Sequence, residues 1–424
     1  MGIFDGKRYF VYGDGLSGRA AIGAIKKCGG RAKLYADADG RFCEPADKRY
    51  DGAVISPGIR PTHAVYEYCA RRGIRPTGEA EIGFKIAEER GMPTVGVTGT
   101  NGKTTVTNLI AAMTGGVACG NIGYPVSIAA LKPQKPIVCE LSSFQLYSSV
   151  VAPDVAVITN IASDHIDWHG TAAEYRACKC NIAAHMRGGY LVLGEDIPVG
   201  ALETLETKAQ IVRCSTTNVC DGAYISGDNF YFMGKRVCPT DYLRLQGVHN
   251  VKNALCAIAA AMCMGASSGD VTAALSSAEL SPHRIRDVGA ACGKRWIDDS
   301  KGTNVAACLA AVAQTSGTVC LILGGRGKAT DFSELFTAID TARVTEVVAM
   351  GETAQAIRDS AAGIVPSLKL TVVNGLNEAV KIAAKSDAQT VLLSPACASF
   401  DEFKSYAERG DRFAAAVKAI GGEA

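Results

Sequence analysis

The sequence predicts an α/β protein of three domains, and three observations carry that expectation. Strand-like apolar runs alternate with helical patterns along nearly the whole chain, the mark of parallel α/β units. Two glycine-rich turns, Gly13–Gly18 and Gly99–Gly102, each follow a strand-like run and open a helical one. The strand pattern restarts after Arg90-Gly91-Met92-Pro93 and again after Pro282-His283-Arg284 in this chain of 424 residues. These restarts give domains over 1–90, 91–286 and 287–424.

The first section opens with a strand at Arg8–Tyr12, a glycine turn, a helix from about Arg19 to Lys27, and a strand at Ala32–Tyr35. It closes on a helix at Glu79–Glu89. The second section begins at Thr94–Thr98, with strands at Pro136–Cys139, Val155–Thr159 and Gly189–Leu193. A β-rich patch at Ala223–Leu245 precedes a helix carrying Asn250 and Asn253. The third section places strands at Lys294–Ile297, Thr318–Leu323, Val344–Met350, Thr371–Val373 and Thr390–Leu393. No repeat or low-complexity segment interrupts the pattern.

Bulk chemistry excludes several classes. A net charge of +2 gives no reason to expect a nucleic-acid or anionic-membrane partner. Hydrophobic residues at 48% against 20% charged suit a soluble protein with sizeable cores. The 16 cysteines are scattered, several through apolar segments, without a C-x-x-C framework, and Cys178 and Cys180 are too close for a zinc knuckle. Buried thiols in a reducing compartment are expected, with thiol-bound metal as the alternative. The N-terminus lacks a signal-peptide core. The apolar stretch Ala254–Met264 is shorter than the ~20 residues of a membrane span. A soluble cytoplasmic protein is the expectation, with no nucleic acid and no membrane as partner.

Gly99-Thr100-Asn101-Gly102-Lys103-Thr104-Thr105 lies between a predicted strand and a helix. Such a loop turns backbone N–H groups and a helix N-terminus toward phosphate. Lys103 supplies a point charge for the β/γ-phosphates and Thr104 a hydroxyl for Mg²⁺. The strict P-loop pattern also wants a glycine five residues before Gly102, where Val97 stands. Glu140, after the strand ending at Cys139, and His165, in Ser163-Asp164-His165-Ile166-Asp167, stand near strand carboxyl ends, where open α/β sheets bind ligands. Upstream, Gly13-Asp14-Gly15-Leu16-Ser17-Gly18 with Asp37 after the next strand forms a dinucleotide-type fingerprint.

The Gly99–Thr105 loop resembles the ATP loop of the Mur ligases and their folylpolyglutamate synthetase relatives. Ser56-Pro57-Gly58-Ile59, Glu140–Leu146, Asp298-Asp299-Ser300-Lys301 with Thr303-Asn304, and Ser394–Asp401 resemble the D-glutamate-adding branch of that family. The matches touch all three predicted domains. The resemblance implies a Rossmann-like N-terminal domain, a central P-loop ATPase-like parallel sheet and a Rossmann-like C-terminal domain. It implies ATP-dependent amide formation between UDP-N-acetylmuramoyl-L-alanine and D-glutamate through an acyl phosphate, in peptidoglycan precursor synthesis.

Position by position, the resemblance assigns ATP to Gly99–Thr105, Asn250, Asn253, Arg284 and Asp299. It gives two Mg²⁺ ions to Thr104, Glu140, His165 and a Lys179 carbamylated by CO₂. Lys103, Glu140, His165 and Lys179 would be catalytic. The UDP precursor would meet Gly15, Leu16, Ser17, Asp37, Ser56, Pro57, Gly58, Asn121 and Ser142, with Asp37 on uracil or ribose. D-glutamate would meet Thr303, Lys328, Ser399 and Tyr406, the last through its backbone. Gly302 stands where the motif often has alanine, a difference expected to matter little. An NAD-dependent oxidoreductase would use Gly13–Gly18 but leave Lys103 and Glu140 without a role. An ATP-binding switch would leave the polar strand ends unexplained. Sister ligases adding L-alanine or a diamino acid are the nearest alternatives.

Overall fold

The computed structural model describes residues 2–46, 49–132, 134–162, 164–197, 205–279, 282–327 and 331–421, with Asp167 described for its backbone alone. It is a three-domain α/β fold built on three sheets. By compactness the chain divides into two units, Met1–Ser163 with Trp168–Glu279, and Asp164–Asp167 with Leu280–Ala424.

β1 (Arg8–Tyr12), β2 (Arg31–Tyr35), β3 (Gly52–Ile55) and β4 (Pro76–Thr77) form a parallel sheet ordered β2-β1-β3-β4. Both faces are covered, so β1 is buried and aromatic or aliphatic from Tyr9 to Tyr12 instead of alternating. Tyr9 and Val11 enter one core while Phe10 and Tyr12 enter another. The first helix, Leu16–Lys27, begins directly after Gly15, earlier than the apolar pattern suggests. β3 and β4 escape the sequence reading because one is short and the other spans only Pro76 and Thr77.

The second sheet has nine strands: β5 (Thr94–Thr98), β6 (Val117–Gly120), β7 (Ile137–Glu140), β8 (Val155–Ile158), β9 (Tyr190–Leu193), β10 (Gln210–Ser215), β11 (Gly222–Ser226), β12 (Asn229–Phe232) and β13 (Lys235–Pro239). Their order is β13-β12-β11-β10-β9-β8-β5-β7-β6. All pairings from β6 to β11 are parallel, whereas β12 and β13 join antiparallel. The expected β-rich patch is therefore the antiparallel edge of the same sheet. β5 sits between β7 and β8, so the loop leaving it is flanked by two neighbouring strand ends.

The first two sheets share a core. The helix Glu79–Glu89 packs against the short helix Val126–Ala130, and Ile82, Ile86, Val126 and Ala129 belong to one buried cluster. Gly83 allows this approach, since a Cβ there would lie 2.6 Å from the Ser127 nitrogen. Glu79 is 4% exposed, and its Oε1 accepts from the Ser127 N–H at 2.6 Å, satisfying a donor of the helix N-terminus. Burial raises the Glu79 pKa, and the bonds from Ser127 oppose that rise.

The third sheet contains β14 (Arg286–Ala291), β15 (Lys294–Asp298), β16 (Val319–Gly324), β17 (Val344–Met350), β18 (Lys369–Val372) and β19 (Thr390–Leu393), ordered β14-β15-β19-β16-β17-β18. Only β14 is antiparallel. Apolar side chains cover both faces: Leu321, Val347 and Leu392 on one, Trp296, Ile322 and Phe413 on the other. Of the thiols in apolar segments, Cys119, Cys139, Cys256 and Cys320 are buried and free, whereas Cys263, at the end of its helix, is only half-buried. Among the described residues no cluster of His, Cys, Asp and Glu fit for a metal occurs, and no helix is long and apolar enough to cross a membrane.

Replacing Glu79 by alanine strands the Ser127 N–H in the shared core. Glu79→Ala is expected to cost the first unit about 1–3 kcal/mol. Glu79→Gln, which keeps an acceptor, should cost less; urea denaturation of both variants checks the ordering.

Candidate active site

The central site is a row of polar groups along the carboxyl ends of four adjacent strands. β5 delivers the loop Gly99–Lys103, and the helix Lys103–Thr114 follows. Gly102, the residue before that helix, has φ +83°. A Cβ on it would fall 2.2 Å from Asn253 Oδ1, which brings the helix Val248–Cys263 against the loop. β8 contributes Asn160, whose Oδ1 accepts from the Asn101 N–H at 3.0 Å while its Nδ2 donates to the Asn101 carbonyl at 3.0 Å. Thr159 Oγ1 donates to the same carbonyl at 2.6 Å. The loop is thus clamped from the β8 side.

From the β7 side comes Glu140, 3% exposed. Thr104 Oγ1 donates to its Oε2 at 2.6 Å, and Asn121 Nδ2, from the end of β6, donates to its Oε1 at 2.9 Å. The structure therefore brings together Thr104, Glu140 and Asn121, which the sequence placed on three separate elements. Lys103 Nζ donates to the carbonyls of Gly99 and Thr100 at 3.0 and 2.9 Å. Lys179, 1% exposed, donates to Gly99 O at 2.7 Å and lies 4.5 Å from the Tyr175 ring centre. Tyr175 OH in turn meets Thr100 Oγ1 at 3.1 Å. Two lysines and a helix N-terminus beside one loop suit a polyphosphate.

Asn250 and Asn253 are both buried on one helix, with Asn250 Nδ2 donating to Gln246 O at 2.7 Å. Thr105 is buried behind the loop. Ser142 serves as a helix cap: its hydroxyl accepts from the Gln145 N–H at 3.2 Å in a reciprocal capping box.

In the N-terminal sheet, Gly15, Leu16 and Ser17 open the helix Leu16–Lys27, and no side chain caps its N-terminus. Gly18 lets the helix close on the turn, because a Cβ there would sit 2.0 Å from Gly13 O. Ser56 Oγ donates to Gly13 O at 3.2 Å, so Ser56-Pro57-Gly58 flank the same turn. Asp37 follows β2, next to β1 in the sheet.

In the second unit, His165 has φ +55°, with its ring nitrogen Nε2 3.7 Å from Asp164 Oδ2. Three loops meet at the carboxyl ends of the adjacent strands β15, β19 and β16. Asp299 is 1% exposed and accepts from Ser394 Oγ at 2.7 Å. Burial raises its pKa to about 6, opposed by the Arg284 charge and the Ser394 bond. A Cβ at Gly302 would lie 2.3 Å from Asp299 Oδ2, so the carboxylate packs directly over this glycine. Thr303 is half-buried just before the helix Val305–Gln314, and Ser399 is 2% exposed. Tyr406 opens the helix Tyr406–Gly421 with Lys301 Nζ 5.5 Å from its ring centre. Lys328 lies outside the described residues.

Sequence reasoning missed Arg409, which is fully buried. Its guanidinium donates to Ser300 O at 2.9 Å, Cys397 O at 3.0 Å and Ala398 O at 3.2 Å, tying two of the three loops together. No local motif marks an arginine that binds main-chain carbonyls 11, 12 and 109 residues away.

A glycine-lysine-threonine loop with Glu140 beside it, on one of three α/β sheets, is the pattern of the Mur ligase class, and residues 97–261 match the Mur ligase middle domain. The fold agrees with the crystal structure of UDP-N-acetylmuramate-alanine ligase MurC from Thermotoga maritima at a TM-score of 0.62 and 17% identity, covering 97% of this chain and 99% of that one. A UDP-N-acetylmuramoylalanine--D-glutamate ligase of Halalkalibacterium halodurans is 35% identical, over 87% of this chain and 83% of its own length. One of Pelotomaculum thermopropionicum is 35% identical over 97% of both. The chain belongs to the UDP-N-acetylmuramoylalanine--D-glutamate ligase family.

Gly102→Ala would combine a left-handed backbone, costing roughly 1–2 kcal/mol for a side chain, with the collision against Asn253. The expected result is a raised KM for ATP and lower turnover together with a melting temperature lowered by a few degrees, read from steady-state kinetics alongside a thermal scan.

Proposed function

We propose that this ATP-dependent ligase joins D-glutamate to UDP-N-acetylmuramoyl-L-alanine, with residues 1–90 taking the UDP precursor, 91–286 the ATP and 287–424 the amino acid. The observation that carries the reading is the Thr104–Glu140–Asn121 chain beside Lys103, an arrangement of oxygen donors and a cation at a phosphate-binding loop. Family membership supplies the substrates.

The γ-phosphoryl of ATP passes to the terminal carboxylate of the precursor, giving an acyl phosphate and ADP. The amine of D-glutamate attacks the acyl carbon, and the tetrahedral adduct expels inorganic phosphate. The amine loses a proton as the amide forms. Such chemistry asks the protein chiefly for positioning and charge neutralisation. Lys103 and the loop N–H groups hold the phosphates, and Asn250 and Asn253 back the loop and the nucleotide. In the second unit, Arg284 and Asp299 contact ATP, while Thr303, Ser399, Lys328 and the Tyr406 backbone hold D-glutamate. At the N-terminal sheet, Gly15–Ser17 and Ser56–Gly58 meet the diphosphate side and Asp37 the uridine. Asn121 and Ser142 complete the precursor site.

The donor set of a hydroxyl and a buried carboxylate 2.6 Å apart fits a hard cation such as Mg²⁺. Thr104 and Glu140 would hold it, with His165 as a further ligand, and it would neutralise charge on the phosphates. The Lys179 tip, beside Gly99, is where carbamylation would replace a cation with an oxygen donor for a second Mg²⁺. The enzyme is proposed to act as a cytoplasmic monomer.

Phosphate release with ATP and UDP-N-acetylmuramoyl-L-alanine should occur with D-glutamate and not with L-glutamate. Release with another amino acid and its matching precursor, and none with D-glutamate, would reassign the substrate.

A further inference from the structure

Asp37 is held by two donors whose direction the fold dictates. Tyr12, the last residue of β1, donates its hydroxyl to Asp37 Oδ1 at 2.7 Å. Burial and the neighbouring Asp37 carboxylate push the Tyr12 pKa up to about 12, so the phenol stays protonated and the bond runs one way. That hydroxyl also accepts the Cys43 N–H at 3.1 Å, which fixes its remaining geometry. The second donor is His63, whose Nε2 lies 3.2 and 3.1 Å from the two Asp37 oxygens.

The tautomer of His63 follows from a helix end. His63 is the N-cap of the helix Ala64–Arg72, and its Nδ1 accepts the Val65 N–H at 3.1 Å. An Nδ1 that accepts carries no proton, so in the neutral ring the proton sits on Nε2 and points at Asp37. Tyr12 and Phe42 pack around the imidazole at 5.4 and 5.8 Å between ring centres. The carboxylate, with its side chain 41% exposed, therefore has its protein-side lone pairs occupied by donors and its open side toward solvent. Both bonds favour the ionised form, and the Asp37 pKa is lowered, chiefly by Tyr12.

We propose that His63, with Tyr12, is a positioning residue that fixes Asp37 as an acceptor for a donor group of the bound nucleoside, either an imide N–H of the base or a ribose hydroxyl. The inference rests on the reading of residues 1–90 as the UDP-binding section. The helix cap, the tautomer and the acceptor form one chain of cause. A change at His63 then alters nucleoside discrimination without touching the nucleoside.

The test uses the full chain and measures binding of UDP, CDP and 2′-deoxy-UDP by titration calorimetry, with ADP as a control for the central site. Asparagine is a good N-cap but too short to reach Asp37, so His63→Asn separates capping from positioning. His63→Asn should weaken UDP about tenfold, the effect of losing one hydrogen bond to a charged group. It should leave ADP affinity and melting temperature near wild type. The UDP/CDP ratio should shrink if Asp37 meets the base, and the UDP/2′-deoxy-UDP ratio if it meets the ribose. Tyr12→Phe should move the same ratio, and Asp37→Asn should abolish it.

Wild-type UDP affinity and ratios in His63→Asn, with both lost in Asp37→Asn, would overturn the role of His63. Unchanged UDP binding in Asp37→Asn would instead remove Asp37 from the site. A wild-type chain that binds no UDP would refute the reading of the N-terminal section itself.

Discussion

Glu140 stands at the carboxyl end of β7, one strand from the loop it serves, and accepts from Thr104 on one oxygen and Asn121 on the other. A carboxyl group 3% exposed needs hydrogen-bond partners within the protein, and Thr104 and Asn121 supply two donors. They also fix its direction. The strand order makes this possible, because β6, β7, β5 and β8 are neighbours and present Asn121, Glu140, the Gly99–Lys103 loop and Asn160 in a row. Without the parallel crossover that sets β5 between β7 and β8, no choice of side chains would bring these groups together.

The same logic recurs in the other sheets with different chemistry. In the third sheet the loops after β15 and β19 are held by Arg409, a cation that spends its donors on carbonyls. Burial lowers its pKa to about 10, which still leaves it charged near neutrality. In the first sheet the acceptor Asp37 is fixed by Tyr12 and His63. Each sheet thus gathers polar groups at strand carboxyl ends, the general ligand position of open α/β sheets.

Much of this was legible in the residues. The strands Arg8–Tyr12, Thr94–Thr98, Val344–Met350 and Thr390–Leu393 coincide with the expected runs because each is apolar on both faces and bounded by polar or glycine residues. Short or polar strands such as Pro76–Thr77 and Arg286–Ala291 carry no such signal, since only their neighbours make them strands. Of the site, the loop and Glu140 could be read from local order. Arg409 and the collision of Gly102 with Asn253 depend on contacts across more than a hundred residues, which no spacing encodes. Gly302 shows a local constraint of a different kind, since the Asp299 carboxylate three residues earlier folds back over it.

The central claim is that Glu140, held by Thr104 and Asn121, makes the loop a magnesium-dependent nucleotide site. Affinity for an unhydrolysable ATP analogue, titrated with and without Mg²⁺ in wild type and Glu140→Gln, tests it directly. Mg²⁺ should strengthen binding to the wild type, and this gain should vanish in Glu140→Gln while metal-free affinity stays comparable. An equal Mg²⁺ gain in both proteins would contradict the account.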